Sequence, residues 1–140
     1  MARLLHIILV MKVAIPIWAG RVSPVLDVAR RLVVAELEAG NEISRKEEPV
    51  DETDLFRRAQ RIRELGVHLL ICGAVSRPLE DMLRANGVQV IPWICGPVDD
   101  VLELFISGQP FSPNYLMPGC CGRGRRGRGR GGRRRGWQNR

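Results

Sequence analysis

The rhythm of apolar and polar positions changes several times along this chain, and each change marks an element. Leu4 to Trp18 is a nearly continuous apolar run rich in Ile and Val, the pattern of a strand buried on both faces of a central sheet. Gly20 to Pro24 breaks the run. Arg31 to Glu38 and Asn41 to Glu48 are moderately β-prone and flank the turn signal Ala39-Gly40, which predicts a hairpin. From Asp51 to Leu65 the period lengthens. Leu55, Ala59 and Ile62 fall three or four apart, with Thr53 placed to cap a helix and Gly66 to end it. Val67 to Cys72 is a second apolar strand. Ser76 then stands as an N-cap, Pro78 in a first turn, and Leu79, Met82 and Leu83 as an apolar stripe ending at Asn86-Gly87. Val88 to Ile94 repeats the strand and Pro97 to Ser107 the helix, with Asp99 and Asp100 in its positive first turn.

A strand, a hairpin and then alternating helix and strand predict an α/β fold. Its mixed five-stranded sheet has the first, fourth and fifth strands parallel, and about three helices cover the faces. The 140 residues, 45% of them hydrophobic, suffice for a single core. Beyond Phe111 the chain offers Pro113, Pro118 and then almost only Gly and Arg. That composition has nothing to bury, so residues 113–140 are expected to form a disordered cationic tail, with disorder from about Pro118 onward.

The formal net charge of +7 is unevenly placed. The first 119 residues hold 13 of the 22 basic side chains and all 15 acidic ones, a net charge of −2, and the last 21 residues carry nine arginines and no acid. Such a tail attracts polyanions by charge and counterion release, and Trp137 could stack on a base, so RNA is one candidate partner. The arginines Arg57, Arg58, Arg61 and Arg63 are read as the solvated face of their helix. The basic-then-apolar opening lacks a small-residue cleavage site, and Leu4 to Met11 is too short for a bilayer, so neither export nor a membrane partner is expected.

Four cysteines, Cys72, Cys95, Cys120 and Cys121, lack the even spacing of a secreted disulfide framework, and adjacent Cys120 and Cys121 cannot bridge each other without strain. Reduced thiols and a cytoplasmic location are expected. Ligands of open α/β sheets bind beyond the carboxyl ends of the parallel strands, where Cys72 and Cys95 fall. Cys95 also precedes Gly96-Pro97 at a helix start, which favours a thiolate or a bound anion. The bland alternative makes each a small buried apolar residue. His6 and His68 are read as packed or edge histidines, and Asp51 and Asp54 as capping carboxylates. No P-loop, dinucleotide fingerprint or nucleophile triad is present in the sequence, so a non-catalytic protein is expected.

Met11-Lys-Val-Ala-Ile-Pro-Ile-Trp18 and Gly20-Arg-Val-Ser-Pro-Val-Leu-Asp27 closely resemble the start of nitrogenase iron–molybdenum cofactor biosynthesis proteins. Leu65-Gly-Val-His-Leu-Leu-Ile-Cys-Gly73, Asn86-Gly-Val-Gln-Val90 and Cys95-Gly-Pro-Val-Asp-Asp-Val-Leu102 resemble that family's later motifs. The resemblance covers about residues 11–110. It implies a ribonuclease H-like fold, without nuclease activity because the first strand offers no clustered carboxylates. It further implies a domain over 11–112 that binds or carries an iron–molybdenum or iron–sulfur cluster, and makes residues 1–10 an extension or a misplaced start. Some resembling proteins bear long cationic tails, and one such type stores iron–sulfide polymer. Where many members have His-Phe-Gly, this chain has Val25-Leu26-Asp27, so no histidine contact is carried over.

The cluster site is therefore expected at Cys72, Gly73, Cys95 and Gly96, with Cys120 and Cys121 as further metal ligands. Cluster donor or acceptor proteins are the expected partners. The alternative function is an RNA-associated protein that binds through its Arg/Gly-rich tail.

Overall fold

The computed structural model describes residues 10–118. Six strands form one mixed sheet: β1 (Val10–Trp18), β2 (Arg21–Val22), β3 (Arg31–Glu38), β4 (Asn41–Pro49), β5 (Leu69–Ile71) and β6 (Gln89–Ile91). The helices are α1 (Leu55–Glu64), α2 (Arg77–Ala85) and α3 (Val98–Ser107), and short 3-10 turns occupy Leu26–Val28 and Pro113–Tyr115. The strand order is β4-β3-β1-β5-β6, with β2 paired to β1 off that path. Strands β1, β5 and β6 run parallel, as the sequence predicts, while β3 and β4 are antiparallel additions. The sheet has one strand more than expected because Arg21–Val22 folds back on Ile17–Trp18.

The core lies on both faces of β1. Ala14, Leu32, Val34 and Leu70 pack with Ala59, Ile62, Leu79 and Leu83 of α1 and α2. Val13, Ile15, Val33 and Ile71 pack with Val98, Val101 and Leu102 of α3. Odd and even positions of β1 and β3 thus serve opposite layers, which explains why β1 carries no polar alternation. Strand β4 is an edge, and its polar residues Glu42, Arg45, Lys46, Glu47 and Glu48 keep that edge from pairing with another chain.

Helix ends follow local chemistry. Asp54, not Thr53, caps α1, its carboxylate accepting from the Arg57 N–H at 3.1 Å. Ser76 caps α2 as expected, accepting from the Leu79 N–H. Arg58 departs from the solvated-face reading, because it is only 3% exposed. Its Nη1 donates to the carbonyls of Leu26 and Ala29, and burial pushes its guanidinium below the ordinary arginine value. The cause is positional: Arg58 lies on the same side of α1 as the buried Ala59 and Ile62, where a long stem can reach across to the 3-10 turn.

The folded part also runs past the boundary set at residue 112. Leu116 bridges Ile94 in antiparallel sense, the Cys95 N–H donates to the Tyr115 carbonyl and the Met117 N–H to the Trp93 carbonyl. Leu116 and Tyr115 supply the apolar surface that holds this segment on the α3 side of the sheet. The expected disorder of the Gly/Arg stretch lies outside the described residues.

Two tight hairpins share one sequence solution. Ala19-Gly20 and Ala39-Gly40 all have positive φ, which makes both turns type I′ and matches the registers Trp18↔Arg21 and Glu38↔Asn41. Alanine is poorly suited to φ +53 at position 39, where asparagine is favoured. Ala39→Asn is expected to stabilise the fold by about 0.5–1 kcal/mol; a thermal or denaturant melt that shows no gain contradicts the turn assignment.

Candidate functional site

All three parallel strands end at one edge of the sheet, and the loops beyond them build the candidate site. The antiparallel registers bring the start of β3 and the end of β4 to that same edge. Each helix follows a strand that ends there, so α1, α2 and α3 all begin at this edge and turn their positive ends toward it. That is where anions gain most from backbone N–H groups.

Between the Ala19-Gly20 turn and the start of β3 lies a groove of about 660 Å³, lined by Ile17, Trp18, Pro24, Val28, Arg30 and Arg31 among others. Trp18 and Val28 are 70% and 71% exposed, unusual for large apolar residues on neighbouring turns. One wall of the groove is thus apolar and aromatic. Arg30 and Arg31 add two exposed guanidiniums; among the described residues only the second has an ion pair, to Glu47 at 3.5 Å. A large, polarisable anion fits such a lining, since apolar walls strengthen the attraction of the nearby cations.

The wall from Ser23 to Arg30 is held from several directions. The Leu26 N–H donates to the Ala74 carbonyl and the Ala74 N–H to the Pro24 carbonyl. The Asp27 carboxylate accepts from the Ser76 N–H at 2.9 Å, the Arg30 carbonyl accepts from Val50, and Arg58 grips the turn from below. Gly73 permits this clasp. A Cβ there would lie 2.6 Å from the Pro24 carbonyl oxygen and 2.9 Å from that of Ser23.

The residues expected to bind a cluster are distributed differently from the expectation. Cys72 is fully buried in the layer under α1 and α2, and desolvation pushes its thiol up to about 12. That is the position of a packed core residue. Cys95 is half-buried in the loop after β6, its Sγ 3.8 Å from the Asn114 carbonyl, and the Gly96 carbonyl beside it accepts from the Val22 N–H just past the Ala19-Gly20 turn. Gly96, at φ +119, faces the Tyr115 ring, where a Cβ would stand 2.8 Å from Cδ1. Gly73 and Gly96 therefore serve close packing of loops. Cys120 and Cys121 lie outside the described residues, and among those described no three His, Cys, Asp or Glu side chains are grouped to hold a metal ion.

His68 behaves as an edge histidine, its Nδ1 accepting from the Lys12 N–H at 2.9 Å. No helix among the described residues is long and apolar enough to cross a membrane. Sequence reasoning missed the groove, although the strand-end rule and the Gly20 to Pro24 part of the family motif both pointed to the loop after β1.

The profile of the dinitrogenase iron-molybdenum cofactor family matches residues 10–108, from the first residue of β1 to the end of α3. The chain belongs to that family. Solved structures share the fold. The protein PH0822 is 22% identical with a TM-score of 0.67, the alignment covering 71% of this chain and 91% of that one. A candidate dinitrogenase of Methanocaldococcus jannaschii is 19% identical with a TM-score of 0.59, covering 75% and 96%. The apo form of the orange protein of Desulfovibrio gigas is 23% identical with a TM-score of 0.59, covering 74% and 93%. No curated protein matches the chain.

The two described thiols should differ sharply in reactivity. At pH 8 a thiol reagent is expected to label Cys95 in the native protein and to reach Cys72 only on unfolding, with sites read by peptide mass spectrometry. Equal labelling rates would contradict the placement of Cys72. Because the folded Cys72 pKa is raised from 9.0 to about 12, its contribution to stability is complete below pH 9 and is lost as the pH climbs toward 12.

Proposed function

We propose that this protein is a non-catalytic carrier of an anionic metal–sulfur cluster, of the iron–molybdenum or iron–sulfur class, held in the groove between Trp18, Val28, Arg30 and Arg31. The observation that carries the reading is the pairing of an exposed aromatic and aliphatic wall with two adjacent guanidiniums. It lies at the sheet edge on which three helix N-termini converge. Membership of the dinitrogenase iron-molybdenum cofactor family supports the same cargo class.

In this reading the cargo is held mainly without thiolate bonds. A sulfide-rich anion presents soft, weakly hydrated faces that lose little on leaving water, so apolar contact with Trp18, Pro24 and Val28 is favourable. Arg30 and Arg31 supply the charge-assisted contacts, worth about 1.5–3 kcal/mol each when partly desolvated. Release to an acceptor then needs no ligand exchange at a protein sulfur. The cationic segment from Arg123 onward would raise the local concentration of the same anions.

Arg30→Ala with Arg31→Ala is expected to weaken binding of tetrathiomolybdate, a simple thioanion probe, by at least about tenfold, while Cys72→Ala leaves it unchanged. Anaerobic purification of the full chain and of a version ending at Gly119, with metal and sulfide analysis, locates native cargo. Cargo in both supports the groove. Nucleic acid in place of metal and sulfide, lost on truncation, would overturn the reading in favour of RNA binding by the tail.

A further inference from the structure

Residues 93–98 form a short strip whose backbone is shared between two partners. With the C-terminal segment, the Cys95 N–H donates to the Tyr115 carbonyl at 2.8 Å, the Met117 N–H donates to the Trp93 carbonyl at 2.9 Å, and Ile94 bridges Leu116. With the turn that bounds the groove, the Val22 N–H donates to the Gly96 carbonyl at 2.9 Å, the Val98 N–H donates to the Gly20 carbonyl at 3.0 Å, and Arg21 bridges Pro97. Strand β2 pairs in turn with Ile17 and Trp18 of β1. A series of backbone pairings therefore runs from the C-terminal segment, through the strip, to the Trp18 side of the groove. The strip also reaches the other wall, because the Trp93 N–H donates to the Gly73 carbonyl and Gly73 is packed against Pro24.

Two residues of the strip hold conformations that need this support. Trp93 has φ +69, a region that non-glycine residues seldom occupy, and it is fixed there by Gly73 at its N–H and by Met117 at its carbonyl. Gly96 stands at φ +119 where the strip changes partner, and the Tyr115 ring closes over it, so that a Cβ there would lie 2.8 Å from Cδ1. The Tyr115 hydroxyl donates to the Asp100 carboxylate in the first turn of α3 at 3.4 Å. Backbone strain of this kind persists only while its surroundings over-determine it.

We propose that residues 112–117 are a strap that sets the state of the groove. Docked, the strap keeps Trp93 in its left-handed conformation and Gly96 under the Tyr115 ring, so the strip holds the Ala19-Gly20 turn and backs Pro24 through Gly73. Undocked, Trp93 relaxes, the turn beside Trp18 loses its outer support, and the groove loosens its hold on cargo. Docking and cargo binding are then one coupled equilibrium: the factor by which docking raises cargo affinity is the factor by which cargo favours docking. Tyr115 is a positioning residue, since it touches the strip and not the cargo. This role rests on the groove being the cargo site.

The test is residue-resolved amide hydrogen exchange of the full-length reduced protein, with and without tetrathiomolybdate. In the wild type the Val22, Cys95, Val98 and Met117 amides are expected to exchange as one opening unit. Saturating thioanion should slow Cys95 and Met117 by at least about fivefold. Tyr115→Ala should speed exchange at Val22 and Val98 by at least about tenfold and weaken tetrathiomolybdate by at least about fivefold. The His68 amide, bonded to the Lys12 carbonyl at the other end of the strands, should keep its rate and report an intact sheet. Tyr115→Phe retains the ring over Gly96 and should restore both exchange and affinity. Faster exchange at Cys95 and Met117 in Tyr115→Ala, with Val22 and Val98 unchanged, would overturn the strap. If that variant also loses protection at His68, the wild type decides, and four unrelated opening rates there overturn it. Absence of saturable tetrathiomolybdate binding to the wild type strikes the groove reading, whereas binding that leaves Cys95 and Met117 exchange unchanged strikes the strap alone.

Discussion

Burial of β1 on both faces is the constraint from which the rest of the structure follows. Val13, Ala14 and Ile15 are essentially inaccessible, and the strand pairs with β3 on one side and β5 on the other. A strand in that position must be apolar on successive residues and must be covered twice, by α1 and α2 on one face and by α3 on the other. Its end is equally constrained. At Trp18 the chain leaves the sheet, turns within two residues and returns, so the loop to β3 is laid across the carboxyl edge. The groove is the space left between that turn and the start of β3.

The loop would be a weak wall if it were held only by its own backbone. It is instead stitched to Ala74 and Ser76 beyond β5, and to Arg58 of α1. Arg58 links packing to site geometry: a buried cation is costly unless it is hydrogen-bonded, and its Nη1 donates to the two carbonyls that shape the turn while its buried Nε has no partner among the described residues. Gly73 links them again, since a larger residue would push the Pro24 carbonyl away. Cys72 and Cys95, neighbours in sequence reasoning, end in different chemical settings because the first points into a helix-covered layer and the second lies under the docked C-terminal segment.

Much of this was legible in the sequence. The long apolar run, the two strand–helix units and the hairpin around Ala39-Gly40 announced the mixed sheet and its parallel centre, because each depends on local period and turn chemistry. Ser76 was readable as a cap for the same reason. What was not legible depends on contacts between distant residues. The two-residue strand Arg21–Val22 has no periodicity to betray it. Arg58 looks like any exposed helix arginine until the 3-10 turn is brought beneath it. The segment after Phe111 has a tail-like composition with little to bury, yet Tyr115 and Leu116 pack on a surface to which α3 contributes. The groove beside Trp18, Arg30 and Arg31 was not legible either, because Arg30 and Arg31 reach the loop after β1 only through the pairing of β3 with β1.

The central claim is that a thioanion occupies the groove after β1 and is held by its apolar wall and two arginines. The most direct measurement is a titration of isotopically labelled, reduced full-length protein with tetrathiomolybdate, followed by amide and indole NMR shifts. Saturable shifts concentrated at Trp18 to Arg31, including the Trp18 indole, are the predicted result. Shifts confined to Trp93 to Cys95 and the residues after Asn114, or no saturable shift in the folded part, would contradict it.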